Sequence, residues 1–364
     1  MKQALRIANV SGIAIAVHWT FPLLLVWVAL SNLQAGAEGI AWSILFVLAL
    51  FVCVTLHELG HALTAKRYGI ETKGITLYPI GGVAQLERMP EKPSQEMIVA
   101  LAGPAVNFVI AGILYLSLYI GGFEPQLSAL TGMNAHSFLP LLLIANLSLG
   151  LFNLLPAFPM DGGRVLRALL STVMNRDRAT HIAMRVGQVM AVLLVVLGFY
   201  ANPFLIFIGV FIFLAGRGEA AYVHARETLS GYYARDAVIH HFHAIEADRT
   251  LGEAVRLLLD VQGGDLVITE NGKIAGTLTR NEMIKALGEK GEMTPVREIM
   301  DREVHAVPHD MPLGEVYEEL NRNRRPLLPV TENGKLLGII DLENILEFLM
   351  VEDARRQRRS SPTL

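Results

Sequence analysis

Two kinds of hydrophobic patterning divide this chain. Up to about Gly216 apolar residues come in long runs with few ionisable groups, and from Arg217 onward charged residues return at a frequency normal for a soluble domain. Ala14–Leu33 carries a single ionisable side chain, His18, and Ile40–Leu56 carries none. Each is close to the roughly 20 residues a bilayer-crossing helix needs. Met97–Phe123 and Ser137–Met160 read the same way. Val186–Gly216 is too long for one upright span; Asn202-Pro203 at its middle and arginines at its ends, Arg185 and Arg217, predict a helical hairpin. About six spans result. Lys2, Arg6, Lys66, Arg67, Arg164 to Arg185, and Arg217 all fall on one side of them, while Ser31–Gly39 and Gly121–His136 hold no Lys or Arg, which predicts cytoplasmic termini. After the second span, Ile75, Leu77 and Val83, with Leu86 beyond the Gly81-Gly82 turn, predict a short β-hairpin.

The polar half repeats itself. A shift of 62 residues sets "LGEAV" at Leu251 on "LGEVY" at Leu313, "TENGK" at Thr269 on an identical "TENGK" at Thr331, and Gly276 on Gly338. Each unit reads as helix, strand, Asn-Gly turn, strand and closing helix, an α/β module. The expected organisation is a membrane domain over 1–217, a linker over 218–229, two repeats within 230–352 (about 230–288 and 293–352) and a solvated basic tail over 353–364 that could touch anionic lipid.

Composition sharpens this picture. The chain has 364 residues, 52% hydrophobic and 18% charged, with a mean hydropathy of +0.41, too apolar for an ordinary soluble enzyme. A net charge of −3 does not suggest a nucleic-acid partner. One cysteine, Cys53, rules out an internal disulfide framework and a cysteine-based zinc finger. The N-terminus lacks an evident cleavage site and reads as a retained anchor.

The chemistry sits at the end of the second apolar run. His57-Glu58-Leu59-Gly60-His61 is HExxH: two imidazoles four residues apart share a helix face, and Glu58 beside them can accept a proton from water. Ionisable groups at the edge of lipid are costly without a task. Zinc in a hydrolytic site takes three protein ligands and an open position, so a third ligand is needed. Carboxylates available include Asp161 in "NLLPAFPMDGGR" and the loop residues Glu87, Glu91 and Glu96. Pro156 and Pro159 would break the fourth span and let Asp161 turn inward. Alternatively, Asp161 caps a helix starting at Gly162, with Arg164 and Arg167 as solvated neighbours.

The "HELGH" motif together with Asn153-Leu-Leu-Pro156-Ala-Phe-Pro159-Met-Asp161-Gly162 resembles the site-2 proteases, intramembrane zinc metalloproteases, whose second motif NxxPxxPxDG it fits without departure. The resemblance implies that His57, His61 and Asp161 bind one Zn2+, that Glu58 is the general base, and that Asn153 and Pro156 lie by the substrate. It also implies a single-pass membrane-protein substrate such as an anti-sigma factor, a membrane-tethered transcription factor or a remnant signal peptide, in a prokaryotic cell membrane. A helix must unwind before it is cut, and the hairpin with Gly81 and Gly82 could pair with the extended segment or simply brace the helices. In "LAGPAVNFVIAG" the small residues permit close helix approach, and Asn107 reads as interhelical glue. His18 beside Trp19 reads as an interfacial anchor.

The repeat resembles a pair of CBS domains, which in many proteins bind adenine nucleotides such as ATP or AMP and often dimerise. Their Thr/Ser-x-x-Asp pattern falls on Thr279-x-x-Glu282 and Asp341-x-x-Asn344, each a departure. Asp341 would repel a phosphate unless a cation intervened. His240, His241 and His243 read as alternation along a strand. The resulting expectation is an intramembrane zinc endopeptidase with a nucleotide-modulated cytosolic module. A CBS-regulated transporter or channel and a non-catalytic metal sensor are the alternatives; transport would spread polar groups along several helices, whereas here they concentrate on two.

Overall fold

A computed structural model describes residues 4–79, 81–87, 90, 92–122, 133–260, 265–323 and 327–360. The chain forms two compact units, Met1–Ala221 and Tyr222–Leu364.

The first unit opens with β1 (Ala4–Val10) and β2 (Ile13–His18), followed by α1 (Phe21–Ser31) and the 32-residue α2 (Gly36–Arg67). β3 (Thr72–Tyr78) and β4 (Gly81–Leu86) form the expected hairpin. Then come α3 (Pro93–Ile120), α4 (Ala135–Asn153), α5 (Asp161–Leu170), α6 (Arg176–Tyr200) and α7 (Phe204–Thr228), the last running past Ala221. Local chemistry sets several boundaries. Proline, which has no N–H to lose, opens α3. Asn134 caps α4 by accepting from the amides of His136 and Ser137. Pro203 stands in the break between α6 and α7, which makes Val186–Gly216 a hairpin of two helices.

Among the described residues, five helices are long and apolar enough to cross a membrane: α2, α3, α4, α6 and α7. Val109, Ile113, Val189 and Phe207 are all exposed, a surface that suits lipid rather than water. The first expected span needs correction. Ile13–His18 is a strand, and α1 has 11 residues, about 16 Å of helix, roughly half a bilayer core. The reason is tertiary. β2 pairs in parallel with β3, Ala14 opposite Gly74 and Ile15 opposite Ile75, and buries Ile13 and Ile15 against Leu59 and Ala62 of α2. The hairpin is thereby enlarged to a four-stranded sheet, β1-β2-β3-β4, with β4 at an edge. α2 also continues through HExxH to Arg67, past the expected end at Leu56.

The second unit holds the two repeats. One contains β5 (Ala244–Glu246), α8 (Leu251–Asp260), β6 (Leu266–Glu270), β7 (Lys273–Leu278) and α9 (Arg280–Lys290). The other contains β8 (Val307–Pro308), α10 (Leu313–Asn323), β9 (Leu327–Glu332), β10 (Lys335–Asp341) and α11 (Leu342–Ser360). Each makes a three-stranded sheet, β5-β6-β7 or β10-β9-β8, with a parallel outer pair and an antiparallel hairpin. Asn271-Gly272 and Asn333-Gly334 all take positive φ, the geometry that tight hairpins require. Val267, Leu327 and Ile339 join the repeats in one buried cluster.

Three expectations shift here. His240, His241 and His243 precede β5 rather than alternating along a strand. Residues 218–228 of the expected linker are helical. The basic tail is helical to Ser360, and part of it is docked: Asp353 accepts from His224 at 3.0 Å, and Arg356 donates to the Thr228 carbonyl at 3.1 Å.

Candidate metal centre

α2 places His57 and His61 one turn apart on a buried face, 6% and 5% exposed. The third group arrives from α5. α4 ends at Asn153, and the 154–160 turn leads into α5 with Asp161 as its first residue. The two following glycines permit this. A Cβ on Gly162 would lie 2.2 Å from the Leu154 carbonyl oxygen, and one on Gly163 would lie 2.7 Å from Ala157 backbone carbon. The expected inward turn of Asp161 is therefore present, with Met160 rather than Asp161 in the capping position.

Asp161 Oδ2 lies 3.1 Å from His61 Nε2 and 3.3 Å from His57 Nε2, and the two Nε2 atoms are 3.1 Å apart. Bonds of about 2.05 Å in a tetrahedral centre would set ligand atoms about 3.3 Å apart, so this triangle fits a single zinc ion. Protonation points the same way. His61 Nδ1–H donates to the Val99 carbonyl at 2.7 Å, and a carbonyl can only accept. In the neutral imidazole this leaves the Nε2 lone pair facing the Asp161 oxygen, two acceptors that a shared cation would satisfy together.

Further parts of the site lay beyond sequence reasoning. Glu58 accepts from the Ala84 amide of β4 at 3.2 Å, and Gly82 packs so closely that a Cβ there would lie 3.0 Å from Glu58 Cγ. The hairpin thus meets the HExxH carboxylate directly. A Cβ on Gly103 of α3 would fall 2.1 Å from His61 Nε2 and 2.7 Å from His57 Nε2. Glycine at this position leaves the ion's space open; the sequence signalled only close helix packing. Asn107 accepts from His57 Nδ1 at 2.5 Å and donates to Asn146 Oδ1 at 3.0 Å, so it touches a site imidazole as well as bridging helices.

Two readings of charged residues are corrected. Glu96, expected on an exposed loop, sits in the first turn of α3 at 2% exposure, and Arg167, a solvated neighbour only in the alternative that made Asp161 a helix cap, is fully buried. Arg167 Nε donates to Glu96 Oε1 at 2.8 Å, Arg176 pairs with Glu96 Oε2 at 3.1 Å, and the Arg167 guanidinium lies over the Phe158 ring. This cluster joins α3, α5 and α6 and fixes the helix that carries Asp161. Glu91 lies outside the described residues. His18 bonds Thr20 at 2.8 Å, and its ring lies against that of Tyr78, centroids 4.8 Å apart.

The descriptions of known proteins agree with this architecture. The model of "Peptidase family M50" matches residues 45–131 and 124–197, and that of the "CBS domain" matches 234–289 and 296–351. Zinc metalloprotease MJ0392 of Methanocaldococcus jannaschii is 32% identical over 358 residues, covering 98% of this chain and 99% of that protein. The chain belongs to peptidase family M50. It is a zinc metalloprotease of the site-2 protease type carrying a C-terminal CBS pair. Stage IV sporulation protein FB of Bacillus subtilis is 25% identical over 251 residues, 66% of this chain and 83% of that protein. A solved site-2 protease from Methanocaldococcus jannaschii is 36% identical, covers 60% of this chain and 95% of that chain, and superposes with a TM-score of 0.44.

In the CBS pair, the two pairs of residues expected to touch nucleotide have structural duties. Thr279 caps α9 by accepting from the Glu282 amide, and the Glu282 carboxylate accepts from the Thr279 amide at 2.9 Å. Asp341 accepts from the Asn344 amide at 2.7 Å. Burial pushes the Asp265 carboxyl above the usual carboxylate range, the nearby charges of Asp341 and Glu282 add to this, and a bond from the Arg280 amide opposes it.

Proposed function

We propose that this M50 protease is an intramembrane endopeptidase that hydrolyses peptide bonds in or near the membrane segment of single-pass proteins. His57, His61 and Asp161 are its zinc ligands and Glu58 its general base. The observation that carries this reading is the buried triangle of donor atoms from α2 and α5, with the Glu58 carboxylate one residue from the first ligand. When bound there, zinc supplies Lewis acidity, making water a nucleophile near neutral pH and polarising the scissile carbonyl. Glu58 takes the proton from the attacking water and returns it to the leaving amine. The Ala84 amide holds the free Glu58 carboxylate in place. An unwound substrate adds along β4, whose Gly81 and Gly82 have no side chain to obstruct it, while Asn153 at the end of α4 and Pro156 on the turn that presents Asp161 border the path. The test compares wild type with Glu58→Gln on a labelled single-span substrate. The variant should retain zinc and lose cleavage; equal product from both would overturn Glu58 as the base.

We further propose that both termini are cytoplasmic, supported by the basic residues around the spans, and that adenine nucleotide bound to the CBS pair adjusts proteolysis. The like charges around Asp265 oppose a bare phosphate, so ATP or AMP would bind on that side only with a divalent cation. Calorimetry with each nucleotide, with and without Mg2+, tests this; equal affinity under both conditions would overturn the cation requirement. Dimerisation through the CBS pair is testable by sedimentation of the detergent-solubilised chain.

A further inference from the structure

A chain of side-chain amides leads from the metal centre to a backbone carbonyl on another helix, and its direction is fixed at the far end. Asn146 of α4 donates from Nδ2 to the Leu142 carbonyl at 2.8 Å and to Cys53 Sγ at 3.4 Å. A backbone carbonyl cannot donate, so the nitrogen of Asn146 must face it and the oxygen must face the other way, toward Asn107. Asn107 answers with its own nitrogen, Nδ2 to Asn146 Oδ1 at 3.0 Å. Its oxygen is left to face His57 Nδ1, at 2.5 Å. Both amides are buried, at 1% and 0% exposure, out of reach of bulk solvent. An acceptor at Nδ1 requires the hydrogen there, which in a neutral imidazole clears Nε2 for a ligand bond.

We propose that Asn107 and Asn146 are positioning residues whose shared amide orientation, anchored on the Leu142 carbonyl, holds His57 in its metal-ligating tautomer. This rests on the reading of His57 as a zinc ligand. If Asn107 were reversed, its NH2 would face Nδ1, and the ring hydrogen would move to Nε2, where it points at His61 Nε2 and Asp161 instead of leaving room for an ion. His61 needs no such relay, since the Val99 carbonyl fixes its tautomer directly. The asymmetry is the distinctive consequence: one ligand is set by a backbone group, the other by a relay that a substitution two residues removed can disturb.

The experiment measures zinc affinity by chelator competition, together with the visible absorption of the cobalt-substituted protein. Asn107→Leu removes the acceptor and should weaken zinc by about 10- to 100-fold. Asn146→Leu never touches His57, yet it releases Asn107 to reverse and should weaken zinc by about 10-fold. Asn107→Asp presents oxygen to His57 whichever way it turns; alone it sets a second oxygen against Asn146 Oδ1, but in the Asn146→Leu background that opposition is gone, so there it should restore zinc affinity and cobalt absorption above the Asn146→Leu level. Simple packing roles predict the opposite, a double variant worse than either single one. Asn146→Ser serves as a second, smaller replacement should leucine prevent folding. Wild-type zinc affinity in Asn107→Leu, or a defect at position 146 that Asn107→Asp fails to repair, would overturn the relay. A Glu58→Gln protein that binds zinc while His57→Ala binds it equally well would instead overturn the ligand reading beneath it.

Discussion

Gly103→Ala adds one methyl group to the middle of α3, a change that in an ordinary helix is neutral or stabilising. Here the new carbon would stand 2.1 Å from His61 Nε2 and 2.7 Å from His57 Nε2. Non-bonded carbon and nitrogen need more than about 3 Å, so His61 would have to withdraw by about 1 Å, against a tolerance of about 0.2 Å in a zinc bond. Neither side can yield easily. His61 is tied through Nδ1 to the Val99 carbonyl at 2.7 Å. α2 and α3 already approach so closely that a Cβ on Gly60 would lie 2.9 Å from the Ala102 carbonyl oxygen. Substitutions in the shell behind a ligand cost about 10- to 100-fold in metal affinity, so one that displaces two ligands should exceed about 100-fold, or roughly 2.7 kcal/mol. The assay is bound-zinc stoichiometry and chelator competition on purified protein, with helix content followed by circular dichroism. Gly112→Ala, on the same helix with no atom within 4 Å of the added carbon, is the matched control and should bind zinc as wild type does. A Gly103→Ala protein that holds zinc within about threefold of the control would refute the close approach of α3 to both imidazoles.

Other outcomes follow from the same contacts. Arg167→Ala leaves buried Glu96 without its nearest partner and should destabilise the membrane unit by about 3–5 kcal/mol, read as a lowered thermal midpoint in detergent. Asp161→Asn should lower zinc stoichiometry while leaving helix content unchanged. Asp265 has a raised carboxyl pKa, so its stabilising contribution is complete only below the ordinary carboxylate range and is lost as pH rises through the shifted value. Asp265→Asn should therefore raise the midpoint of the CBS pair at neutral pH, with the gain shrinking in acid; a gain that grows on acidification would contradict the sign.

Sequence alone determined the HExxH residues His57, Glu58 and His61 as candidate chemistry, the tandem repeat and most of the helices, because each is written in local spacing. HExxH is a helix-period pattern, the 62-residue shift is a direct comparison, and "TENGK" encodes its own turn. Tertiary structure decided what depends on a distant partner. Ala14–Leu33 is apolar enough to be read as a span, but its first residues became part of the strand Ile13–His18 because β3 was there to pair with them. Glu96, read as a loop residue, and Arg167, distant from it in sequence, are buried because they meet. Asn107 looked like glue until the fold brought His57 to one end of it and Asn146 to the other. Local pattern can say which side chains carry chemistry. What holds each in its working protonation state and position is a long-range contact, and only packing creates it.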